Sequence, residues 1–306
     1  MSDTASPLRR RRRARLTAAF AALLALIGYV AVRYSSGGDP ARCVVRAASG
    51  EGGPRYELST EMAANAATIS AVGTSRGLPE RAVTIALATA LQESSLRNID
   101  HGDRDSLGLF QQRPSKGWGT PDQILDPVYS AGKFYDGLTE VPGYSRLPLT
   151  VAAQKVQRSG FPQAYAKHEP NATLLAAALT GRAGSALSCT PGATAATGEA
   201  ATVRTALTRD FGAAVLAGAP RTGAREIAVA VPSATSDAPS AGPGVSRAPT
   251  PRRGWELAHW AVARAERLGI AEVSYGGKVW SAEHADRGWR PSTTPPAPGV
   301  RLRLAP

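Results

Sequence analysis

Apolar positions recur with helical period through the middle of the chain. Met62, Ala66, Ile69 and Gly73 share one face of a helix that Ser59 can cap and that carries Glu61 in its first turn. A second helix is expected after Gly77, with Pro79 at its first position, where a missing N–H costs little. Its apolar stripe is Val83, Ala86, Leu87, Ala90 and Leu91, the spacing of a buried face. Asp126-Pro127 predicts the start of a third helix, a fourth follows Thr150, and Ala172 to Leu179 forms a last one closed by Gly181. Residues 57–190 therefore read as a helical domain.

After a linker at 191–198, the pattern changes. Val203, Leu207, Phe211 and Val215 recur every four residues and predict a helix, and Glu226 to Val231 reads as a strand. Residues 232–251 are Ser, Ala, Pro and Gly with too little apolar content to fold, and read as a disordered loop. A helix from Trp255 to Leu268 follows, then short strands at Glu272–Tyr275, Lys278–Trp280 and Val300–Leu304. Residues 199–306 are expected to form a small α/β domain. No internal repeat is visible.

The N-terminus carries a different signal. Residues 16–32 hold no charge, and six arginines precede them, so 16–33 reads as a transmembrane segment with residues 1–15 as a basic cytoplasmic tail. The bulk of the chain would then lie outside the cell, behind a stalk at 34–56. A retained signal anchor and a cleaved signal peptide both fit; no small-x-small cleavage site follows, which favours the anchor. Cys43 lies outside any lipobox. Cys43 and Cys189 could close a disulfide in an oxidising compartment, or remain two free thiols.

Composition narrows the class. The 306 residues, 43% hydrophobic and 20% charged, afford a packed core and one or two domains at about 150 residues each. The net charge of +12 is concentrated at Arg9 to Arg13, Arg15 and Arg33, so the remainder is only mildly basic and no nucleic-acid partner is expected. Two Cys and four His, none clustered, give no metal site, and one membrane segment cannot form a transport pathway. No cofactor is implied.

The stretch with chemistry is Ala90-Leu91-Gln92-Glu93-Ser94-Ser95-Leu96, followed by Asp105-Ser106-Leu107-Gly108-Leu109-Phe110-Gln111-Gln112. Glu93 ends the second helix on the border of its apolar face. Desolvation and the negative end of the helix dipole both favour its protonated form, which a general acid for glycosidic oxygen requires. Gly108 would let backbone approach a polysaccharide, while Ser106, Gln111 and Gln112 offer partners for sugar hydroxyls and N-acetyl groups. Trp118, between Gly117 and Gly119, is the aromatic residue most suited to stack on a sugar; Phe134, Tyr135 and Tyr144 read as core.

Glu93-Ser94 and Gly108-Leu109-Phe110-Gln111 resemble, in order and spacing, the motifs of lytic transglycosylases and goose-type lysozymes in the lysozyme-like superfamily. Phe110 stands where that pattern has Met, and the third motif, Ala-Tyr-Asn, is matched only by Ala164-Tyr165-Ala166. The resemblance covers residues 57–190 and extends to actinobacterial membrane-anchored proteins. It implies a mainly α lysozyme-like fold and an extracellular enzyme that cleaves peptidoglycan glycan strands. Glu93 would be the catalytic acid/base, Ser94 would orient it, Tyr165 would match the motif tyrosine, and residues 106–112 would line the sugar subsites. Asp100, Asp103 and Asp105 read as turn residues rather than as the second carboxylate of a hydrolase pair. With one carboxyl, the resemblance implies a transglycosylase route to a 1,6-anhydro product. The alternative is a non-catalytic peptidoglycan-binding or scaffolding protein. His259 reads as structurally satisfied, and Gly254 to Trp289 resembles a small α/β domain of secreted actinobacterial proteins, expected to act as an accessory or wall-contacting module.

Overall fold

The computed structural model describes residues 20–25, 27–28, 41–47, 52–159, 163–192, 196–218, 223–231, 252–295 and 298–306. The chain divides into two units, 1–40 and 41–306. In the first, the described residues are helical, and Phe20, Leu23, Leu24 and Ile27 are exposed. No helix among the described residues is long and apolar enough to cross a membrane. Most of the segment expected to do so, 16–33, lies outside the described residues, as does the loop expected at 232–251.

The second unit begins in a sheet where a stalk was expected. Strand β1 (Arg42–Arg46) pairs with β2 (Arg55–Ser59) and with β3 (Leu187–Thr190), all antiparallel, in the order β2-β1-β3. Alternation buries Cys43 and Val45 and turns Arg46 outward, but over five residues this period is too short to read from sequence. Cys43 stands directly opposite Cys189, and the two form a disulfide. With a sequence separation of 146, the link removes about 5 kcal/mol of chain entropy from the unfolded state in the loop-closure model.

Helices α1 (Thr60–Ser75) and α2 (Glu80–Ser94) form the centre. Ser59 caps α1 as expected, its hydroxyl accepting from the Met62 N–H at 3.2 Å. Pro79 is the residue before α2 rather than its first helical position. The apolar stripe expected on α2 is buried, but so is every other residue from Ala82 to Leu91. This helix is wrapped on all sides, and its many Ala and Thr residues let neighbours approach closely. Helices α3 (Pro121–Ile124), α4 (Pro127–Thr139), α5 (Leu149–Gln157) and α6 (Glu169–Leu179) complete the wrapping, α6 lying along α2. Asp126 starts α4 as expected, its carboxylate accepting from the N–H groups of Val128 and Tyr129. The small α3, with its Thr120–Gln123 capping box, had no apolar period to announce it.

Residues 199–306 do not form a separate body. Helix α7 (Ala200–Phe211) packs on α1, and α8 (Arg252–Ala263) packs on α1 and α6, so their buried side chains join the same core. The expected helix at 255–268 is two, because Arg264 breaks it before α9 (Ala265–Leu268). A second antiparallel sheet follows, built from β4 (Glu226–Ala230), β5 (Ile270–Tyr275), β6 (Lys278–Ser281), β7 (Arg290–Pro291) and β8 (Gly299–Leu304), in the order β4-β8-β5-β6-β7. Gly181 stops α6 with φ +73°, and a Cβ there would lie 1.8 Å from the Arg252 carbonyl oxygen. That glycine is also the seat of α8.

Polar contacts fix the junction. The buried Asp210 carboxylate of α7 accepts from Arg264 at 2.6 Å, from the Trp260 indole N–H at 2.8 Å and from the Thr68 hydroxyl of α1 at 3.2 Å. His259 is fully buried, between the Ala178 carbonyl at 2.8 Å and the Leu187 N–H, and stacks on Trp255. Its ring is held neutral, because burial pulls its pKa down to about 4.

Two stability predictions follow from this junction. Asp210→Ala leaves Arg264 buried without its partner and should cost about 3–5 kcal/mol in denaturant unfolding. For His259 the unfolded chain binds the proton more tightly, so its contribution is complete above about pH 6.5 and is lost as pH falls toward 4. His259→Gln should flatten that part of the stability–pH curve; a slope as steep as in the parent would contradict the assignment.

Candidate functional site

The last turn of α2 leaves the wrapped core and opens onto a groove of about 1000 Å³. Ser95 ends the helix in a left-handed conformation at φ 54°, and Leu96 follows at 60°, turning the chain sharply away. Glu93 lies at this exit, largely buried and lining the groove. Burial raises its carboxyl above the usual carboxylate range. The Tyr165 hydroxyl donates to Glu93 Oε1 at 2.6 Å and, with the Gln157 amide, offsets part of that rise by favouring the charged form. Tyr165 is itself pushed far upward by burial and by the neighbouring carboxylate, so it stays a donor throughout the physiological range.

The residues singled out from the sequence divide into two groups. Glu93, Ser106, Gln111, Gln112 and Trp118 line the groove. Tyr165 is fully buried and reaches the site through Glu93. Ser94, expected to orient Glu93, and Gly108, expected to let backbone approach a polysaccharide, do not line the groove. The Ser94 hydroxyl donates to the Leu109 carbonyl at 2.8 Å, and so ties the end of α2 to the 106–112 loop. Gly108, at φ +73°, packs against the backbone of α3, where a Cβ would lie 2.7 Å from the Ile124 carbonyl oxygen. Both position the loop. Gln112 is nearly enclosed, its amide donating to the Ser130 carbonyl at 3.0 Å, whereas Gln111 folds back onto the carbonyls of His101 and Gly108.

The three aspartates behave differently. Asp105 accepts from Arg113 at 2.7 Å and from the Ser115 N–H at 2.8 Å, contacts that hold its carboxyl well below the usual range. Asp100 is exposed and bonds His101. Asp103 alone of the three lines the groove. Sequence reasoning missed Glu140, Lys155, Gln157 and Arg158, which reach the groove from the ends of α4 and α5. Nothing local marks them; only the packing of α5 against α2 and α4 brings them in. Among the described residues no His, Cys, Asp and Glu cluster could hold a metal ion.

The fold and site thus define a mixed helix-and-sheet protein with a protonatable carboxyl at the mouth of a polar groove. Against known families, the model described as VldE, C-terminal domain, matches residues 238–296, a stretch that includes α8, β5 and β6 and none of the groove residues. No curated protein matches the chain.

Tyr165→Phe removes the O–H that stabilises the Glu93 carboxylate while leaving the burial in place. The Glu93 pKa should therefore rise further, which a ¹³C NMR titration of glutamate-labelled protein would read, with Glu93→Gln identifying the resonance.

Proposed function

We propose that the chain is a peptidoglycan-cleaving glycosidase of lytic transglycosylase or muramidase-like type, anchored in the cell membrane and acting on the wall outside it. The observation that carries this reading is the Glu93 carboxyl, shifted toward its protonated form by burial and hydrogen-bonded by Tyr165, at the wall of a groove large enough for several sugars. The resemblance of Glu93-Ser94 and Gly108-Leu109-Phe110-Gln111 to the transglycosylase motifs supports it independently. So does the disulfide, a bond that persists in oxidising compartments.

In this mechanism Glu93 protonates the glycosidic oxygen of the bound strand as the bond to the departing sugar breaks. The substrate's own N-acetyl group assists at the anomeric carbon. Glu93, now ionised, takes the C6 hydroxyl proton as that oxygen closes the 1,6-anhydro ring. Tyr165 steadies the carboxylate during the interval when it is charged, by the hydrogen bond it already makes. The Asp105–Arg113 pair supports the loop, while Asp103 and Glu140 are the other carboxylates that line the groove, so the product distinguishes the one-carboxyl route from a hydrolase pair.

Glu93→Gln should lower release of soluble muropeptides from purified walls by about a thousandfold or more, the scale for loss of an acid and base in one residue. Anhydro-ended products from the parent, seen by mass spectrometry, would support the transglycosylase form. Release unchanged in the variant would exclude Glu93 as the acid.

A further inference from the structure

The groove carries a net positive lining. Arg104, Lys116, Lys155 and Arg158 line it against the carboxylates of Asp103 and Glu140, and none of the four cations makes an ion pair among the described residues. Arg113, also in the lining, is neutralised by Asp105. Gln92, Gln111 and Gln157 also line the groove, with the Gln111 amide donating to the His101 and Gly108 carbonyls and the Gln157 amide to the Phe110 carbonyl. Four exposed cations against two carboxylates leave an excess of positive charge around one concavity, and an anionic occupant relieves it.

Backbone conformation points the same way. Arg104 and Arg158 have φ of 57° and 52°, in the left-handed region where Gly or Asn is ordinarily found. Gln111, a third groove residue, sits at φ 48°. Half of the non-glycine residues with positive φ among those described therefore line this groove, and strain of this kind collects at ligand sites. The cations come from two separate segments, Arg104 and Lys116 from the connection between α2 and α3, and Lys155 and Arg158 from the end of α5.

We propose that the groove recognises a carboxylate-bearing glycan, with Arg104, Lys116, Lys155 and Arg158 taking the carboxylates that project from the strand. This rests on the glycan reading above and narrows it to strands that carry negative substituents. Two sources supply that chemistry, the free carboxylates of stem peptides and the lactyl carboxylates left when stems are removed.

The test is retention of the full-length Glu93→Gln chain on wall material that it leaves uncut. The walls are first stripped of phosphate polymers with hydrofluoric acid, and one portion has its carboxylates converted to amides with carbodiimide and ammonium. Binding to the untreated portion should be about tenfold tighter, and should weaken as salt rises. Lys155→Gln with Arg158→Gln should reduce binding to untreated walls and leave binding to amidated walls as it was. A third portion, freed of stems by an amidase, assigns the source: retention there supports the proposal through lactyl carboxylates, and loss supports it through stem carboxylates. Equal binding to native and amidated walls overturns it. Because the readout is binding, carboxylate-dependent retention by a chain whose parent cuts nothing would refute the glycosidase reading and leave this one standing.

Discussion

The structure depends on where a fully wrapped helix ends. From Ala82 to Leu91, α2 buries its whole circumference, which demands covering elements on every side. They come from all along the second unit: α1 before it, α4, α5 and α6 after it. Only at its final turn does the wrapping stop, and there Glu93 meets the groove. A carboxyl at that boundary is neither free in water nor sealed in the core. Its raised proton affinity is thus a property of the helix's position rather than of any single neighbour, and Tyr165 trims the effect without removing it.

Much of this was legible in the sequence, for identifiable reasons. Caps at Ser59 and Asp126 announced two helices because their side chains accept from N–H groups within three residues. The Glu93-Ser94 and Gly108-to-Gln112 segments announced the site because both lie in short local runs. What stayed hidden depends on distance along the chain. Strand β1 finds β3 across more than a hundred residues, and five residues of alternation are too few to distinguish a strand from a stalk. Gly108 was misread for a related reason: a glycine that admits a close approach does not say whether ligand or protein makes it, and here the Ile124 carbonyl does.

The C-terminal third was expected as an accessory domain, and the reason it is not detached lies in small contacts. Gly181 lets the backbone at Arg252 come against the end of α6, and Asp210 gathers donors from α1 and α8 around one carboxylate oxygen. His259, held neutral between two backbone groups, adds a third tie to the same seam. None of these faces the groove. The elements that frame the groove are thus braced from behind by residues that do not line it.

The cross-strand link between Cys43 and Cys189 also routes mechanical load. Tension entering the second unit at its first strand crosses the sulfur bridge to the third strand without travelling along the intervening polypeptide. Residues 44–188, which supply the groove, lie within the covalent loop that the bridge closes. Force applied at Cys43 and beyond Cys189 would therefore bypass the covalent loop that carries the cleft.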